Sequence, residues 1–216
     1  MNNNLTEMVF ILDRSGSMSG KEEDTIGGFN SLIEKQKKED GQCLVSVVLF
    51  DDRTDVIYDR IDISKMPVMT ENEYFTRGCT ALLDALGGAI HHIANVHKYA
   101  REEDVPSKTI FVITTDGMEN ASVAYTAEKV RAMVRKEQEK YGWEFLFLGA
   151  NIDAVQTARH YGINPGRAVR YKCDGKGTAL NYTVLSETIC KYRRTGNIDA
   201  SWSATIEKDY EERENR

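Results

Sequence analysis

The stretch MVFILDRSGSMSGK, Met8–Lys21, decides the fold. Met8–Leu12 is apolar without a break, the pattern of a short strand buried on both faces of a sheet. The run ends in Asp13, and Ser15 and Ser17 follow on either side of Gly16. A glycine there permits a sharp turn, so both hydroxyls can face the carboxylate. In an open α/β sheet, the carboxyl end of such a strand is where ligands bind.

Outward from this stretch, strand-length apolar runs alternate with helical patterns. Asp24 to Lys38 reads as a helix with Ile26, Phe29, Leu32 and Ile33 on one face, and Glu22, Glu23 and Asp24 sit where a helix start favours negative charge. Leu44–Phe50 is a second buried strand. The turn at Asp51–Thr54 and the alternation over Val56–Ile61 predict a hairpin to an antiparallel edge strand. Thr80 to Tyr99 is a helix, Thr109–Ile113 a third core strand, and Val123, Ala127, Val130 and Val134 the face of the next helix. Trp143–Leu148 is a strand, Asp153 to Tyr161 a short helix, Ala168–Tyr171 the last strand, and Thr178 to Arg194 the closing helix. Right-handed crossovers on both faces then give a Rossmann-like, doubly wound α/β fold. Its six-stranded sheet is mostly parallel, with one antiparallel edge strand. The domain is expected over residues 1–195. Residues 196–216 are expected to be a charged tail, helical or disordered, because eight of the last ten residues are charged.

Composition narrows the function. The 216 residues are 41% hydrophobic and 29% charged, an ordinary balance for a packed domain. A net charge of −6 with no basic stripe argues against a nucleic-acid partner. The N-terminal residues show neither the basic nor the apolar region of a signal peptide, and no apolar run reaches the roughly 20 residues of a membrane span. Cys43, Cys79, Cys173 and Cys190 are widely spaced and form no CxxC pair. A cytoplasmic protein with reduced cysteines is expected.

Two later segments resemble the first in chemistry. TRGCTALLDAL places Thr80 after Gly78 at a helix start, and TIFVITTDGMEN places Asp116 just beyond a strand, before Gly117. Ser15, Ser17 and Thr80 with Asp13 and Asp116 make an all-oxygen donor set. Hard divalent cations take such donors, with about six around Mg²⁺. Two carboxylates balance the ion's charge, while neutral hydroxyls leave it able to accept one more anionic oxygen.

In this order, DRSGS, the Thr80 segment and TTDG resemble the three parts of the metal-ion-dependent adhesion site of von Willebrand factor type A domains. The resemblance spans residues of about 5 to 195, with no departure at the five positions, and is nearer to stand-alone bacterial members than to extracellular adhesins. It implies a non-enzymatic, metal-dependent protein-binding module. Ser15 and Ser17 would bind Mg²⁺, Mn²⁺ or Ca²⁺ directly, Thr80 directly or through water, and Asp13 and Asp116 through water or directly. The open position would take an Asp or Glu of a partner protein, and Arg14 and Met18 would lie near the rim. In relatives the last helix moves as the metal exchanges ligands; here that is Thr178 to Arg194.

The chain could be the adaptor of an AAA+ ATPase or of a tellurite-type stress-resistance complex. A haloacid-dehalogenase-type phosphatase would also place an Asp at a strand end, but it needs a second acid two residues on, where Ser15 stands. His91, His92 and His97 lack the i, i+4 spacing of a metal pair. Asp51, Asp52 and Asp55 fit a hairpin turn better than a second cation site. Asp84 reads as a surface or structural group, and DGKG at Asp174–Gly177 as a turn, since it lacks the flanking residues of a phosphate loop.

Overall fold

Met8, Phe10 and Leu12 pack on one face of the sheet and Val9 and Ile11 on the other, which is why this strand is apolar at every position. The structure is a computed structural model and describes residues 2–150 and 152–214. The strands are β1 (Asn2–Asp13), β2 (Gln42–Phe50), β3 (Thr54–Asp62), β4 (Pro106–Thr115), β5 (Glu144–Gly149) and β6 (Ala168–Arg170). They form one sheet in the order β3-β2-β1-β4-β5-β6. Every neighbouring pair is parallel except β2 and β3, which are antiparallel.

The helices are α1 (Glu22–Gln36), α2 (Leu82–Tyr99), α3 (Ala127–Tyr141), α4 (Ala154–His160), α5 (Gly175–Thr195) and α6 (Ala204–Glu214). Apolar residues of α1, α5 and α6 join Phe10 and Leu12 in one core, while those of α2, α3 and α4 join Val9 and Ile11 in the other. The chain leaves β1 toward β2 over one face and returns to β4 over the other. The strand order therefore reverses between β1 and β4, and the carboxyl ends of these two strands, Asp13 and Thr115, flank the crevice there.

Three expectations change. Val123 is 94% exposed and precedes α3, which starts after Thr126 caps it by accepting from the Lys129 N–H. The helical spacing of Val123 with Ala127 was coincidental, because Asp84 accepts from the N–H groups of Val123, Ala124 and Tyr125 and holds them as a loop. Second, the core does not stop at residue 195: Ile198, Trp202 and Ile206 are buried in it, and the Trp202 indole donates to the Gly166 carbonyl at 2.9 Å. These apolar residues recur every fourth position, just before and into a run of charged residues, enough to dock α6. Third, Arg14 and Met18 are buried at 2% and 4% exposure, so neither forms a rim.

Candidate metal centre

Three loops meet at the crevice, tied together by their backbones. The Gly16 N–H donates to the Gly78 carbonyl at 3.1 Å and the Arg77 N–H to the Arg14 carbonyl at 2.9 Å, joining the first loop to the second. The Thr80 N–H donates to Asn120 Oδ1 at 2.9 Å, and the Asn120 N–H returns to the Thr80 carbonyl at 3.0 Å, joining the second to the third. Gly78 has φ +66, and a Cβ there would lie 2.2 Å from Asp52 Oδ1, so the loop preceding Thr80 requires glycine.

The five oxygen-bearing residues converge on this junction. Asp13 is 1% exposed; its Oδ1 accepts from the Ser15 N–H at 2.7 Å and its Oδ2 from the Thr115 hydroxyl at 2.6 Å. Tyr74 donates its hydroxyl to the Asp13 carbonyl at 2.6 Å, bracing the strand end. Ser15 Oγ and Ser17 Oγ are 3.0 Å apart, and Ser17 donates to Asp116 Oδ1. Thr80 Oγ1 and Ser17 Oγ both border Gly117: a Cβ there would lie 3.3 Å from the first and 3.5 Å from the second. Gly117 therefore leaves open the space that two hydroxyls face. Asp13, Ser15, Thr80 and Asp116 are buried, and Ser17 is exposed, so the cluster opens to solvent at Ser17.

Burial pushes the Asp13 carboxyl pKa upward; hydrogen bonds from Ser15 and Thr115 only partly offset this, and the Asp116 charge adds to it. Asp116 is answered by a cation of the chain itself. Lys21 Nζ lies 2.8 Å from Asp116 Oδ2 and 2.6 Å from the Ser17 carbonyl. Burial alone would lower the pKa of that ammonium, but its hydrogen bond to Asp116 and nearby negative charge raise it overall. Cys173 Sγ lies 3.6 Å from the same Oδ2, bringing the β6–α5 connection to the cluster. Lys21, Thr115, Tyr74, Asn120 and Cys173 were given no role at the site from sequence. Only Thr115, a hydroxyl beside Asp116 in TTDG, carried a signal that could have found it.

The remaining candidates lie elsewhere. Arg14 donates to Asp51 at 2.7 Å and also to Asp55, and Arg77 reaches the same two carboxylates at 2.8 and 3.2 Å. Two members of the acid cluster after β2, Asp51 and Asp55, are thus paired with arginines. His97 contacts buried Glu7 at 2.9 Å, His92 contacts Asp59 at 2.9 Å, and His91 contacts Asn95. Asp174 caps α5 by accepting from the Gly177 N–H at 2.9 Å. Among the described residues no three His, Cys, Asp or Glu side chains gather into a metal-holding group. A cation held at the crevice would therefore depend on the hydroxyls. The donor set suits one: it is all oxygen, carries two carboxylates, and is left room by Gly117.

No family model matches this sequence, and no curated protein matches it. Solved structures do match. The vWF domain of the type V pili tip protein Mfa5 from Porphyromonas gingivalis superimposes with a TM-score of 0.63 at 9% identity, covering 90% of this chain and 98% of that one. Proximal thread matrix protein 1 from the mussel byssus, with a zinc-occupied MIDAS motif, gives 0.59 at 16% identity, covering 88% of this chain. The chain spans only 47% of the mussel protein's length. Manganese-loaded TRAP protein of Plasmodium vivax gives 0.56 at 16% identity, covering 83% of this chain and 72% of that one. With the strand order and two-faced helical packing described above, these likenesses establish that the chain has the von Willebrand factor type A fold.

Proposed function

We propose that Asp13, Ser15, Ser17, Thr80 and Asp116 hold a divalent cation through which the protein binds an acidic residue of a partner protein. The observation that carries this reading is the convergence of three hydroxyls and two carboxylates at the switch point, around the space beside Gly117. Zinc and manganese in two proteins of the same fold support a divalent ion. Mg²⁺ is the ion we assign, because the donors are hard oxygens.

The bound cation would supply a Lewis-acidic position for an external carboxylate. The chain's own residues do the rest. Ser15, Ser17 and Thr80 offer neutral oxygens that do not quench the ion's charge. Asp13 and Asp116 supply the compensating negative charge from opposite sides of the crevice. Thr115 and the Ser15 N–H keep the Asp13 oxygens oriented. The apolar strands carry the fold, so the metal-free protein stays folded.

A phosphatase is disfavoured by a specific observation. The position two residues after Asp13 is Ser15, whose N–H is bonded to Asp13 and whose hydroxyl faces Ser17, so the acid that such a phosphatase carries at this position is replaced by a hydroxyl. The binding role is tested by immobilising wild type and Asp13→Ala and passing a host lysate over each, with Mg²⁺ or with EDTA. A protein retained by wild type alone, only with Mg²⁺, and displaced by peptides bearing Asp or Glu, is the expected result. Equal retention by both proteins, or retention insensitive to EDTA, contradicts the reading.

A further inference from the structure

Lys21 is electrostatically out of place. It occupies the N-terminal cap of α1, where the helix dipole favours anions, and its side chain makes no cap there. Its neighbours Glu22, Glu23 and Asp24 follow the rule that Lys21 breaks. Gly20, at φ +81, turns the chain just before it. The ammonium reaches back to Asp116 Oδ2 at 2.8 Å and the Ser17 carbonyl at 2.6 Å, with only 18% of the side chain exposed. A local rule broken at a site points to function there.

Formal charge gives the consequence. Asp13 and Asp116 alone would exactly cancel a divalent ion and leave the loaded site neutral. With Lys21 present the loaded site carries one net positive charge, which a single external carboxylate neutralises. Arg14 and Arg77, on the loops beside the site, are paired with Asp51 and Asp55 and do not alter this balance.

We propose that Lys21 sets the selectivity of the site, weakening its hold on the cation and strengthening its preference for a carboxylate ligand. This rests on the metal reading above. Lys21 competes with the incoming ion for Asp116, then leaves the loaded centre electropositive. The two effects have opposite signs, which a purely structural lysine would not produce.

The test uses Mn²⁺ alone, then acetate as the carboxylate probe, on wild type, Lys21→Met and Lys21→Arg. Calorimetry gives the Mn²⁺ affinity, and water-proton relaxation reports acetate displacing water from bound Mn²⁺. Lys21→Met is expected to bind Mn²⁺ roughly tenfold tighter, as removal of one nearby like charge implies, and acetate several-fold more weakly. Lys21→Arg, which keeps the charge, is expected to behave as wild type and guards against a folding defect in the methionine variant. Unchanged or weaker Mn²⁺ binding by Lys21→Met overturns the proposal, as does unchanged acetate binding. Failure of all three proteins to bind Mn²⁺ overturns the metal reading itself, a distinct result.

Discussion

Thr115 Oγ1 lies 2.6 Å from Asp13 Oδ2, so the last residue of β4 holds the carboxylate at the end of β1. The bond orients a buried acid whose pKa burial has raised. A raised folded pKa means that the folded state binds more protons than the unfolded one. The associated stability is present below the ordinary aspartate range and is lost as pH rises through the folded pKa. At neutral pH the metal-free protein therefore carries a penalty at Asp13.

Asp13→Asn removes that penalty while its side chain can still accept from the Ser15 N–H. Urea unfolding without metal is expected to show the variant more stable than wild type at neutral pH, with the gap closing as pH falls. A stability difference independent of pH would contradict this account of Asp13.

Arg14 and Asp51 form a buried pair, with side chains 3% and 0% exposed. Replacing Arg14 by Met leaves Asp51 short of one partner. The expected cost is about 3 kcal/mol, at the low end for a broken buried pair because Arg77 still reaches Asp51. Chemical denaturation measures it, and a loss below about 1 kcal/mol would show the pair to be structurally idle.

Much of this was legible in the sequence, and the limits have physical causes. Local periodicity carried the strands: MVFIL is apolar throughout and LVSVVLF at every position but Ser46, because both faces of β1 and β2 are covered. Motif spacing carried the five oxygen-bearing residues, and the structure brings all five to one crevice. Pairing between loops was not legible. Arg14 looked like a rim residue because its partner Asp51 is 37 positions away and meets it only through the β1–β2 register. Nothing local to Lys21 points to Asp116, which lies 95 positions on. In the C-terminal segment, the charged run at residues 207–216 drew attention away from Ile198, Trp202 and Ile206, three apolar anchors just before it.

Those anchors give a further expectation. Trp202 is buried, and its indole hydrogen-bonds the Gly166 carbonyl. Trp202→Ala is expected to lose about 3–5 kcal/mol, the range for large-to-small changes of buried aromatic residues. A thermal melt superimposable on wild type would show α6 to be a dispensable appendage.

Gly117→Ala separates the site from the fold. The added methyl would enter the space faced by Thr80 and Ser17, at 3.3 and 3.5 Å. Stability is expected to change by less than about 1 kcal/mol. Mn²⁺ affinity is expected to fall roughly 10–100-fold, as when a ligand's surroundings are disturbed. Full Mn²⁺ affinity in this variant would place any ion away from Gly117.

The central claim is that one divalent cation is caged by oxygens from three loops. Its most direct test is a calorimetric titration of Mn²⁺ into wild type and Asp13→Ala, each first shown to be folded by circular dichroism. The account predicts one ion per wild-type chain and at least a hundredfold weaker binding in the variant, roughly a 2.7 kcal/mol loss. Indistinguishable titrations would contradict it.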